Sequence, residues 1–147
     1  MSDVLEELTG DTLVRAHVEA RIENWEHRIA DLYALVGAWL PAGWTAASHR
    51  SVRMLEEPMR EVGLPPRDLP VLDLLEGDKI AATIEPRGLW IVGANGRLDL
   101  SRDASHYLIT DAAGNFEPPR WTITSVTDRR RRTPFDRTSL RDVLSLA

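Results

Sequence analysis

Between Asp11 and Leu40 the apolar residues Val14, Val18, Ile22, Trp25, Ile29, Leu32, Val36 and Trp39 recur at intervals of three and four. That spacing approximates the 3.5-residue repeat of a coiled-coil seam and predicts a long amphipathic helix over 11–40. Gly10 with Asp11 or Thr12 offers an N-terminal break and cap, while Pro41 and Gly43 offer a stop. Glu19, Glu23, Glu26 and Asp31 read as the wet face. About thirty residues at ~1.5 Å each make a helix about 45 Å long, more than a small domain covers. The eight seam residues are therefore expected to meet a second helix, most simply the same helix of another subunit, making the chain a homo-oligomer.

The polar connection after this helix has no regular period. Val52 and Leu55 share a helical face and predict a modest helix over 51–57, capped by Ser51 and stopped by Pro58. The stretch 63–70 carries three prolines and reads as an extended connection; Pro70 could open a short helix ending near Gly77. Beyond Lys79 the pattern changes to strands. Asn95-Gly96 between apolar runs predicts a type I′ hairpin in which Ile91 faces Leu100 and Gly93 faces Leu98. In that register Leu89, Ile91, Leu98 and Leu100 share the buried face. Strands follow at 107–110 and 121–126. A short C-terminal helix has Leu140, Val143 and Leu144 as its apolar stripe and Ser139 with Asp142 at capping-box spacing.

These elements predict an α+β fold: a long coiled-coil-like N-terminal helix plus a small antiparallel sheet of four or five strands, with a C-terminal helix across one face. The Pro-rich passage suggests a division into a helical region, 1–78, and an antiparallel β unit with its terminal helix, 79–147.

Charge sharpens that division. Residues 1–78 hold 15 acids and 7 basic residues, a net −8, whereas 79–147 hold 8 acids and 11 basic residues, a net +3. The halves are expected either to pack against each other or to attract partners of opposite sign. Arginine outnumbers lysine 17 to 1 along the whole chain, so a single arginine carries little information. With no cysteine there is no disulfide, thiolate nucleophile or cysteine-ligated metal. The acidic first ten residues and the absence of a long apolar run predict a soluble, cytoplasmic protein without a membrane partner.

The one concentrated chemical signal is Arg129, Arg130, Arg131 and Arg132, with Arg120 and Arg137 nearby; together they could contact a polyanion. A solvated turn paired with the acidic helix is the simpler expectation for four arginines between a strand and a helix. Gly88, Gly93 and Gly96 do not lead from a strand into a helix, so they read as hairpin glycines rather than a phosphate loop. The four histidines show no metal-ligand spacing, and no metal or cofactor is expected. His106 with Asp103, Ser105 and Asp111 has the residue types of acid–base or nucleophilic catalysis, although these are also ordinary turn residues. The sequence thus favours a non-enzymatic interaction or regulatory module that self-associates through its long helix and offers its β half to a protein partner. A nucleic-acid-associated regulator using Arg129–Arg132 is the first alternative, and a small hydrolase or nuclease around His106 the second.

Overall fold

The computed structural model describes the backbone of residues 2–145 and the side chains of residues 14–145. The chain is α+β: α1 (Ser2–Trp39), β1 (Trp44–Met54), α2 (Glu57–Glu61), β2 (Arg67–Glu76), β3 (Lys79–Ile91), β4 (Ala94–Arg102), β5 (Ser105–Asp111), β6 (Trp121–Ser125), β7 (Asp128–Pro134) and α3 (Arg137–Ser145). The seven strands form one antiparallel sheet in simple sequence order, larger than the expected four or five. No helix of the described residues is long and apolar enough to cross a membrane.

Helix α1 runs straight through Gly10, where a break was expected. A glycine inside a helix costs only about 1 kcal/mol, less than interrupting the backbone ladder. Its other end is where the sequence places it: Gly43 has φ +86°, and the Trp44 N–H closes a turn on the Pro41 carbonyl at 3.1 Å. The helix expected over 51–57 is strand as far as Met54, and Pro58, expected to stop it, instead sits in the first turn of α2; the short helix expected from Pro70 is strand. In β1, Val52 faces Leu69 and Met54 faces Arg67, so two-residue alternation wins over the three-residue spacing of Val52 and Leu55. Pro70 is tolerated because β2 pairs there with β1 alone; its ladder with β3 covers Leu72–Glu76. The expected division between 78 and 79 falls in the turn joining the paired strands β2 and β3.

The β3–β4 hairpin turns at Val92-Gly93, three residues earlier than Asn95-Gly96. Ile91 pairs with Ala94, Gly93 supplies the positive φ of +84°, and Asn95 and Gly96 lie within β4. A bulge between Pro86 and Gly88 then brings Pro86 opposite Leu98 and Ile84 opposite Leu100. The Glu56 carboxylate accepts the Leu89 N–H at 2.9 Å and the Trp90 N–H at 3.1 Å beside that bulge. Tertiary use explains the displaced turn. The Asn95 side chain accepts from Arg21 and donates to the Gly114 carbonyl, while at Gly96 any Cβ would overlap the Trp25 ring.

One face of the sheet carries the core. Ile22, Trp25, Ile29, Leu32 and Val36 of α1 are wholly buried with Leu74, Ile84, Leu89, Leu98, Leu100 and Ile109 of the strands, and α3 adds Leu140, Val143 and Leu144. Each such side chain contributes about 1.5–3 kcal/mol on burial. Helix α3 is capped by Asp136 and Ser139, not by Ser139 and Asp142: the Ser139 N–H donates to Asp136 Oδ1 at 3.0 Å and the Asp136 N–H to Ser139 Oγ at 2.9 Å.

Candidate polyanion-binding edge

The eight seam residues do not form a free stripe. Val18, Ile22, Trp25, Ile29, Leu32 and Val36 are 0–6% exposed beneath the chain's own sheet. Trp39 meets Phe135 edge-on at 5.6 Å, and Val14 alone is open, at 55%. Six of the eight residues expected at an assembly surface are thus placed in the chain's own core, against a sheet widened by β1 and β2, the two strands expected as helix.

The arginine run is a strand rather than a loop. A two-residue turn, in which Ser125 Oγ and Thr127 Oγ1 lie 2.9 Å apart, reverses the chain into β7, and buried Phe135 anchors its far end. Ser125 pairs with Asp128, but the next residue back, Thr124, pairs with Arg132. Arg129, Arg130 and Arg131 are therefore extra residues in the ladder, an irregularity of the bulge type. All seven residues of β7 are exposed, and no strand covers its outer edge.

Concentration on one open strand, more than charge pairing, separates these arginines from the rest, since seven others, Arg102 and Arg141 among them, also have no ion-pair partner among the described residues. Arg15, Arg28, Arg50, Arg67, Arg87 and Arg97 each ion-pair with a carboxylate. Among the described residues none of Arg129–Arg132 does so, and the pairing expected between the run and the acidic helix is not observed. The only acid in the strand is Asp128, at its first position. Beside the bulge, between β6–β7 and α3, a cleft of about 350 Å³ is lined by Ser125, Thr127, Arg131, Thr133, Ser139 and Asp142, a hydroxyl-rich setting for phosphate oxygens. Arg120 and Arg137 do not join the group. By strand register they lie at the opposite end of the β6–β7 hairpin, where Arg120 donates to the Ala112 carbonyl at 2.8 Å.

His106 is not joined by its expected partners. Asp103 occupies a turn with φ +50°, and Asp111 is wholly buried on the core face with Arg28. The sheet assembles a different trio instead. His106 Nε2 lies 2.9 Å from Asp99 Oδ2, and Ser101 Oγ lies 3.3 Å from His106 Nδ1. Sequence reasoning missed Asp99 and Ser101 because the pairing of Ser101 with His106 is a cross-strand register, invisible along the chain. With the proton on Nε2, Nδ1 accepts from the Ser101 hydroxyl, the polarity of a nucleophile–base relay. Asp99, however, is already compensated by Arg97 at 2.8 Å and Arg87 at 3.4 Å. Burial opposes ionisation of the Asp99 carboxyl, but hydrogen bonds from Arg97 and His106 outweigh it and hold the carboxyl below its ordinary range. Asp99 is thus shared between two arginines and His106.

Among the described residues no group of three or more His, Asp or Glu is placed to hold a metal ion. No protein-family model matches the chain, and neither a curated protein nor a solved structure matches it at significant similarity.

Proposed function

We propose that the protein is a binding module that docks the phosphate backbone of a nucleic acid on β7. The observation that carries this reading is concentration: four consecutive exposed arginines share one open, bulged edge strand, and among the described residues none of them is neutralised by a carboxylate. Guanidinium groups suit phosphate because their planar N–H donors match its oxygens. A bulged strand splays them over more than one direction, which suits an irregular or single-stranded backbone better than a flat protein surface. The adjoining hydroxyls of Ser125, Thr127, Thr133 and Ser139 add neutral donors, while the Asp128 and Asp142 carboxylates bordering the same cleft direct a phosphate backbone to the outer, arginine side of the strand.

Counterion release makes the reading quantitative. Four phosphate contacts on a single strand give a slope of log affinity against log salt of about −3. Fluorescence anisotropy of a labelled single-stranded oligonucleotide should therefore show affinity falling about fifty-fold between roughly 50 and 200 mM salt. A variant with Arg129–Arg132 all changed to Ser should keep its circular dichroism and lose both the binding and the slope. No binding by the unaltered protein at the lowest salt, or an unchanged slope in the variant, overturns the proposal.

A further inference from the structure

A second site borders α3 as the first cleft does, shares only Asp142 with it, and uses no residue of β7. Arg102, the last residue of β4, follows Leu98 and Leu100 at two-residue intervals, so its side chain enters the layer those leucines fill. It is 8% exposed. Its Cζ lies 5.3 Å from the centre of the Trp44 ring, which holds one face of the guanidinium plane. Among the described residues its buried Nε and Nη1 atoms have no hydrogen-bond partner. Three of the five N–H donors of a charged group are thus out of water with nothing to receive them. Native interiors satisfy most such groups, and a charged exception beside an open cleft is explained by an acceptor that arrives from outside.

There is room for one. Pro41, Trp44, Glu76, Arg102, Arg141 and Ser145 line a cleft of about 530 Å³ between the end of α1, the first strands and α3. That volume suits a small molecule and not a polymer. The C-terminal carbonyls of α1 would repel an anion there, but Arg141 covers them, donating through Nε to the Trp39 carbonyl at 2.8 Å and through Nη2 to that of Leu40 at 3.5 Å. Glu76 and Asp142 also border the cleft, so its two guanidinium groups face two carboxylates and it carries no large excess of positive charge. Such a setting favours a singly charged anion over a highly charged one.

We infer that this cleft is a receptor for a small organic carboxylate, whose oxygens accept from Arg102 Nε and Nη1 while the indole of Trp44 keeps the guanidinium in place. The test is a titration of the full chain with sodium acetate and sodium propionate at constant ionic strength, following the Arg102 Nε–H and Trp44 Nε1–H signals by ¹⁵N NMR. The expected result is a saturable shift of both signals that chloride does not produce. It should persist when Arg129–Arg132 are changed to Ser, which separates this site from the β7 edge. Arg102→Met should weaken binding at least about tenfold, as expected for losing charge-assisted hydrogen bonds. If that variant does not fold, Arg102→Lys keeps the charge, loses the guanidinium donors and should also weaken it. No saturable shift, an equal shift of the Trp44 signal in the Arg102 variants, or a response to inorganic phosphate but not to the two carboxylates overturns the inference.

Discussion

Two arginines are buried on the core side of the sheet, and their surroundings are opposite. Arg28, 4% exposed, donates through Nη1 to Asp111 at 2.8 Å and to the Asn95 carbonyl at 2.6 Å, and through Nε to Asn24 at 2.7 Å. Its Cζ lies 4.9 Å from the Trp25 ring. Asp111 in turn accepts the Ala113 and Arg120 N–H groups, each at 2.9 Å. Burial pulls the Arg28 pKa down and Asp111 pushes back, and the group remains charged. Arg102 has an aromatic ring of its own and no acceptor at Nε or Nη1. A buried charge with a complete set of partners holds a fold in register, whereas one without them raises the energy of the empty state and rewards whatever completes it.

The most severe way to break this contrast is to make Arg28 resemble Arg102. Asp111→Ala strands the Arg28 guanidinium and removes the acceptor for two backbone donors, and should cost about 3–5 kcal/mol in urea unfolding. Gly96→Ala attacks the same node from the other side. Its φ of +107° disfavours any side chain, and the new methyl would push the Trp25 ring from beneath Arg28; a loss of about 2–3 kcal/mol is expected by the same measurement. Arg102→Met should move stability in the opposite direction. Without added carboxylate it removes unpaired buried donors and should gain about 1–2 kcal/mol, a rise in the urea midpoint at unchanged slope. A large loss instead would make Arg102 as structural as Arg28.

The smallest effect concerns a third arginine pair, on the far face. Asp99 has a folded pKa held below its unfolded value, so the stability it adds is complete above about pH 4 and disappears as pH falls through the folded value. Asp99→Asn should flatten the acid limb of a stability–pH curve by about 1 kcal/mol and leave the neutral region nearly level with His106→Ala. An unchanged acid limb would show that Arg97 and Arg87 compensate Asp99 equally well in the unfolded chain.

The long helix, the strands at 107–110 and 121–126, and the terminal helix were legible because each repeats one period over several residues with its apolar side inward. Strands β1 and β2 were not. Ser48, His49, Arg50 and Ser51 carry little apolar signal, and the prolines of 63–70 resemble a linker until their sheet partners are known. The Asn95-Gly96 signal was read correctly as glycine chemistry and assigned the wrong purpose, since Asn95 bridges Arg21 to Gly114 and Gly96 admits Trp25. For the candidate edge, the arginines themselves were visible, but their lack of acidic partners was not. Arg102 had no sequence signal: only its position two residues beyond Leu100 placed a charge in an apolar layer.

The sequential strand order sets a schedule for synthesis. The apolar stripe of α1 is made first, yet β3, β4 and β5, which cover much of it, are made after it. At about 5–20 residues per second, on the order of ten seconds separate Val36 from the end of β4. Throughout that interval the nascent chain carries a wet stripe containing Trp25, Ile29 and Leu32, the kind of surface that chaperones hold and that neighbouring nascent chains can join. Sensitivity to crowding on the ribosome is thus written into the order of the elements, and a circular permutant that places α1 last should be released from it.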